Sequence, residues 1–172
     1  MPVLLVALNP CPCGFFGDKK RICYCSRQQI NKYLSKLSGP LLDRIDLQIP
    51  VQTIEYDLIK EPAIGNENSE NLYMPVKHAL EVQAQRFKSR EIFNSFMPSN
   101  DIDRYCVLSP PAEKIIKKAF DRLNLSMRGY HKILKVARTI ADLTQNEQID
   151  AVHMQEAIMY RSLDHYLEQQ RL

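Results

Sequence analysis

The sequence predicts a mainly helical protein, in which a short α/β segment is followed by an all-α domain. Three observations carry that expectation. The chain opens on the apolar run Val3-Leu4-Leu5-Val6-Ala7-Leu8, which reads as a strand buried on both faces. A polar, breaker-rich stretch from Lys60 to Leu72 then interrupts the pattern. Beyond it, apolar residues recur at three- and four-residue spacing behind recognisable helix caps. The boundaries that follow are 1–57 for the α/β segment, 58–73 for a linker and 74–172 for the helical domain. A lone buried strand at the start has nothing nearby in the sequence to pair with, so the chain is expected to be the C-terminal part of something longer.

Taken in order, Asn9-Pro10 ends the first strand, because proline cannot donate to a ladder and constrains the residue before it. A loop from Cys11 to Cys25 follows. Ser26 with Gln29 forms a capping box for a helix carrying Ile30, Tyr33, Leu34 and Leu37 on one face. Ser38-Gly39-Pro40 stops that helix. Ile45 to Val51 alternates apolar and polar residues until Pro50 and reads as a half-buried strand. After the linker, a helix over Val76 to Phe93 presents Val76, Ala79, Leu80, Gln83 and Phe87. Ser109-Pro110 opens a helix through Leu123. Ser126 caps the next, whose stripe is Tyr130, Ile133, Leu134, Ala137, Ile140 and Ala141. Asp150 caps the last, with Met154, Ala157, Ile158 and Leu163 turned inward.

Composition narrows the function classes. A net charge of +3 over 172 residues does not argue for a nucleic-acid or membrane-surface protein. No apolar run approaches the roughly 20 residues that span a bilayer, and the start lacks a secretory leader, so the expectation is a cytoplasmic protein without a membrane partner. Five cysteines, four of them clustered, fit a metal site in a reducing compartment better than a disulfide scaffold.

Those four are Cys11, Cys13, Cys23 and Cys25, two Cys-x-Cys pairs separated by nine residues. Four thiolates complete a tetrahedral zinc shell, and a closed shell of this kind is structural, with no open catalytic position. Gly14 and Gly17 let the backbone bend around an ion, and Lys19, Lys20 and Arg21 offset the charge of a tetrathiolate. A loop of free thiols is the competing reading. Cys106 stands apart and reads as a buried structural thiol. The four histidines, His78, His131, His153 and His165, lie on helical segments and read as packed or solvated residues rather than bases.

Two arginines attract a different reading. Asp43-Arg44 sits at a short turn ahead of the second strand, where a permanently charged, bidentate guanidinium could reach a phosphate in a neighbouring subunit. Taken alone, the pair reads first as a local surface ion pair worth about 0–1 kcal/mol. Arg128 occupies the first turn of a helix, beside the positive end of its dipole, which hints at an anionic partner.

The blocks Leu5-Val-Ala-Leu-Asn-Pro-Cys-Pro-Cys-Gly14, Leu37-Ser-Gly-Pro-Leu-Leu-Asp-Arg-Ile-Asp-Leu47 and Leu134-Lys-Val-Ala-Arg-Thr-Ile-Ala-Asp-Leu143 resemble, in the same order, the magnesium-chelatase-like AAA+ ATPases of the ComM/YifB group. The resemblance implies a remnant of a AAA+ (P-loop NTPase) α/β core followed by a helical lid. It implies that Asn9 is the sensor-1 residue orienting the attacking water and that Arg44 is an arginine finger acting in trans, with Asp43 at the same intersubunit contact. It implies that Arg128 is the sensor-2 arginine touching the γ-phosphate. The parent would use ATP and Mg2+ and form a homo-oligomer, a hexameric ring. It would act on DNA as a helicase or branch-migration motor in natural transformation.

One departure limits this. The five glycines include none followed by lysine, so no Gly-x-x-x-x-Gly-Lys-Ser/Thr loop exists in the chain, and the acidic magnesium motif is also expected upstream. This chain alone is therefore expected to be inactive as an ATPase. Two other classes stand beside the motor. One is a zinc-stabilised nucleic-acid-binding module with Lys19, Lys20, Arg21 and Arg27 on phosphates. The other is a protein-interaction module docking through the helical domain.

Overall fold

The computed structural model describes residues 3–18, 20–37, 39–42, 44–51 and 68–161. These fall into two units. One holds residues 3–45 and 49–51; the other holds Asp46–Gln48 and residues 68–161.

In the first unit, α1 (Arg27–Leu34) begins where expected. The Ser26 hydroxyl accepts the Gln29 N–H at 3.2 Å, and the Ser26 N–H donates to Gln29 Oε1 at 2.8 Å. This satisfies two of the donors a helix start leaves open. Ile30 and Leu34 are buried against Cys11, with Cys13, Phe16, Cys23, Cys25, Tyr33 and Leu37 partly buried around them. Among the described residues, the core of this unit is thus the cysteine loop packed on α1. α1 ends at Leu34, ahead of the Gly39-Pro40 pair read as its stop, and that pair also opens a one-turn helix, α2 (Gly39–Leu42).

Two strand expectations are corrected. Among the described residues there is no strand, and Val3, Leu4 and Leu5 are 88, 77 and 93% exposed. A strand is stable only in a ladder, and no described segment supplies a partner for this one. Residues 45–51 likewise join no ladder. The Gln48 N–H donates to the Tyr160 carbonyl at 2.7 Å, so that bond goes to a helix end instead.

The second unit is helical: α3 (Ser69–Phe87), a 3-10 turn (Asn94–Phe96), α4 (Ser99–Tyr105), α5 (Pro110–Arg122), α6 (Met127–Leu143) and α7 (Ala151–Met159). The Ser109 and Ser126 caps hold as read, accepting the N–H of Ala112 and of Gly129. α3 starts at Ser69, inside the stretch read as linker, because the Asn68 side chain accepts the Asn71 N–H at 2.9 Å. It tolerates Pro75. Residues 52–67, the end of the α/β segment and most of that linker, lie outside the described residues, as do Ser38, Asp43, Lys19, Leu163 and His165.

The α6 stripe is the centre of this unit. Ile133, Leu134, Ala137, Ile140 and Ala141 are buried with Ile102, Cys106, Ala112, Ile116, Ile149, Met154 and Ala157. An isolated parallel bridge, Leu108 to Ile149, ties the start of α5 to the start of α7. Cys106 behaves as the structural thiol expected. It is buried, its S–H lies 3.7 Å from the Leu134 carbonyl, and burial pushes its pKa up to about 11. Because the thiolate is the reactive form, Cys106 should resist iodoacetamide in the native protein and react on unfolding. Its pKa is raised above the ordinary 9.0, so its contribution to stability is complete below pH 9 and is lost as pH rises towards 11. Native labelling of Cys106 at pH 8 would contradict this packing.

Candidate metal centre and phosphate-contact residues

The cysteine loop folds back so that all four sulfurs lie within 4.8 Å of one another. Sγ of Cys11 is 3.4 Å from that of Cys13 and 3.7 Å from that of Cys23, and Cys13 to Cys23 is 3.6 Å. Four thiolates around zinc at about 2.3 Å define a tetrahedron with edges of about 3.8 Å, close to these separations. The cysteines are free rather than paired as disulfides. The donor set therefore fits a tetrahedral soft-ligand ion.

The local surroundings favour the thiolate at Cys13 and oppose it at Cys23. The Phe15 N–H points at Cys13 Sγ and holds that thiol down to about 6. Cys23 receives the Cys25 N–H, which favours its charged form, but desolvation and the neighbouring sulfurs outweigh it and push Cys23 up to about 12. Such crowding is what a divalent cation relieves, since ligation deprotonates thiols outright. Gly14 and Gly17 have φ of +85° and +83°, left-handed values that let the loop reverse between ligands. Asp18 accepts the N–H groups of Lys20 and Arg21 at 2.7 and 3.1 Å, fixing the second reversal. Arg21 lies 5.0 Å over the Phe15 ring.

The other expected site residues are placed singly. Asn9 is exposed in the segment leading into the loop. Arg44 is exposed just after α2, its N–H bonded to the Leu41 carbonyl at 2.9 Å. Asp43 is outside the described residues. Arg128 is exposed in the first turn of α6, whose cap, Ser126, accepts the Gly129 N–H at 3.0 Å. Of the expected residues, the four cysteines are the group whose side chains converge.

Sequence reasoning missed a buried polar hub in the helical unit. Asp142 is 1% exposed and takes two bonds from Arg86, at 2.5 and 2.7 Å. It also accepts from Arg138 Nε at 3.0 Å and from Asn94 Nδ2 at 2.8 Å. Asn94 continues to Thr139 and to Gln83, while Arg138 donates onward to the carbonyls of Asn146 and Glu147. One carboxylate thereby ties α3, the 3-10 turn, α6 and the loop after it. The available signal was Arg138 and Asp142 at i, i+4 amid an otherwise apolar face. The histidine expectation holds at His153, which is buried, accepts the Asp150 N–H at Nδ1 and meets Thr144 Oγ1 through Nε2.

Comparison with known proteins supplies the wider context. Residues 2–59 match the family described as magnesium chelatase, subunit ChlI, and residues 66–161 match magnesium chelatase, subunit ChlI C-terminal. The chain belongs to the magnesium chelatase ChlI-like family. Within it, similarity runs to the ComM/YifB group. The chain is 38% identical to competence protein ComM of Haemophilus influenzae over 96% of its length. It is 36% and 34% identical to the uncharacterized protein YifB of Salmonella typhimurium and of Escherichia coli, each over 95% of its length. It spans about a third of these relatives, 31% of each. Among the described residues no helix is long and apolar enough to cross a membrane.

Proposed function

We propose that this chain supplies the C-terminal part of a ring-forming AAA+ ATPase. Residues 1–57 form the last part of the α/β core, 58–73 the linker and 74–172 the helical lid. The observation that carries this reading is the pair of family matches, in order and spanning residues 2–59 and 66–161. In the assembled ring Asn9 orients the water that attacks the γ-phosphate. Arg44 reaches the adjoining subunit's ATP, with Asp43 at the same contact. Arg128 touches the γ-phosphate from the lid of its own subunit. ATP and Mg2+ supply the phosphoryl chemistry when bound. The chain's arginines contribute fixed positive charge where negative charge accumulates on the transferring group.

The whole protein is a cytoplasmic homo-oligomer, hexameric, that moves on DNA as a helicase or branch-migration motor in natural transformation. The competence name of the Haemophilus relative supports the pathway. Replacing Asn9 or Arg128 with Ala in the full-length protein is expected to lower kcat for ATP hydrolysis by about 100-fold or more each. Wild-type turnover in both variants would defeat the reading.

The cysteine cluster holds one structural Zn2+ in this proposal. Among the described residues the core of this unit is little more than Cys11, Ile30 and Leu34, a small apolar cluster, and a closed tetrathiolate site contributes folding energy directly. Elemental analysis should find one zinc per chain, and Cys11→Ala/Cys13→Ala should lose it together with several degrees of melting temperature. A metal-free protein whose melting temperature ignores the substitution would exclude the ion. A second reading, a zinc-stabilised nucleic-acid contact through Lys20, Arg21 and Arg27, draws on the exposure of these cations beside the loop. It predicts salt-dependent binding of single-stranded DNA that Arg21→Ala weakens.

A further inference from the structure

Asn9 lies just ahead of the turn that carries the first two cysteines, and its side chain packs against that turn. The Gly14 N–H donates to the Cys11 carbonyl at 3.0 Å, closing the turn Cys11-Pro12-Cys13-Gly14. A side chain built at Gly14 would stand 3.7 Å from Asn9 Cγ, 3.8 Å from Nδ2 and 3.9 Å from Oδ1. The carboxamide of Asn9 therefore lies against the bare face of Gly14, one residue beyond the ligand Cys13. On its other side the chain offers little support, since residues 3–8 are exposed and join no ladder among the described residues. What orders the turn is its contact with the cluster: Cys11 is fully buried, and its sulfur lies within 4 Å of two others.

We propose that the metal held by Cys11, Cys13, Cys23 and Cys25 positions Asn9, so that occupancy of the thiolate cluster sets the rate of ATP hydrolysis without any contact to nucleotide. The inference rests on the zinc and Asn9 assignments proposed above. The chain of causes is short. Zinc pins Cys11 and Cys13 to Cys23 and Cys25 across the loop. The pinned turn keeps Gly14 at its left-handed φ, and Gly14 gives the Asn9 carboxamide a flat surface to rest on. Without the ion, the sulfurs at Cys11 and Cys13 lose their anchor and Asn9 samples other positions. Nucleotide binding, which uses other groups, is untouched. The four cysteines are positioning residues in this scheme, not catalytic ones.

The test uses the full-length protein and the variant Cys23→Ser/Cys25→Ser, which breaks the clip from the far side and leaves residues 9–14 unchanged. Zinc content should fall from one per chain to about a tenth or less. Deuterium uptake in the peptide covering residues 8–14 should rise about tenfold in rate. The kcat for ATP should fall to within about threefold of Asn9→Ala while KM stays within about twofold, and adding Asn9→Ala should lower kcat by less than about twofold more. Wild-type protein stripped by a chelator should show the same exchange and kcat changes and recover both on reloading with Zn2+, which separates loss of metal from misfolding of the variant. Unchanged exchange after zinc loss would overturn the proposal, as would a triple variant whose kcat falls by the product of the two separate losses. Wild-type kcat in Asn9→Ala would refute the role given to Asn9, whereas the exchange measurement would still decide whether the metal holds that residue.

Discussion

Arg44→Ala in the full-length protein is expected to lower ATP turnover about a thousandfold to a hundred-thousandfold, the effect of removing an arginine finger. The size follows from chemistry. A guanidinium placed against the transferring phosphoryl group is permanently charged, forks to two oxygens and costs no reorganisation as charge develops. An ordinary surface ion pair contributes about 0–1 kcal/mol, which is less than tenfold in rate. The two readings of Arg44 therefore differ by orders of magnitude, and one turnover measurement separates them. Arg44 is exposed at a turn whose backbone is fixed by the Leu41 carbonyl, so the substitution removes the side chain without disturbing a packed core. Arg44→Lys should recover little, because an ammonium is a point charge without the planar fork. Turnover within about threefold of wild type in Arg44→Ala would reduce Arg44 to a surface charge.

Asp142→Ala is expected to destabilise the helical unit by about 3–5 kcal/mol, read from the midpoint of chemical denaturation. Removing this carboxylate strands the guanidinium groups of Arg86 and Arg138 and the Asn94 amide in a site where Asp142 and Arg138 are each 1% exposed. A buried cation left without its partner carries the full desolvation cost. The contrast is Asp46→Ala. Asp46 pairs with Lys132 at 2.6 Å, but its side chain is 63% exposed, so water replaces the bond and the loss should stay below about 1 kcal/mol. Equal effects of the two substitutions would show that burial does not govern these pairs.

The helical unit was readable in the sequence because its signals are local. Ser109 and Ser126 bond backbone groups three residues on, and the α6 stripe repeats every three or four residues, so neither needs a distant partner. The cysteine cluster was readable for a related reason: two Cys-x-Cys pairs on a glycine-bearing loop can meet with little chain between them. The strands over 3–8 and 45–51 failed because pairing is a property of the ladder. Apolar pattern alone reports what a segment would do beside a neighbour, not whether one is there. The start of α3 was missed because Asn68, Ser69, Glu70 and Asn71 read as a polar linker, although a polar cap and an acidic first turn are also how helices begin. The Asp142 hub was hidden because its members lie up to 56 residues apart and are polar, and the i, i+4 spacing of Arg138 and Asp142 is as common on a solvated face as in a core. As for Asn9, Arg44 and Arg128, the roles proposed for them come from family resemblance, and their exposure alone assigns none of them.

The claim that Arg44 completes a neighbour's active site is tested most directly by subunit mixing. Full-length Arg44→Ala subunits, inactive for want of a finger, are combined with full-length subunits whose phosphate loop has been disabled. In a mixed ring, the disabled subunits still offer Arg44 to the intact nucleotide sites beside them, so ATP hydrolysis should reappear above either population alone. No recovery, in rings shown to contain both subunits, would contradict action in trans.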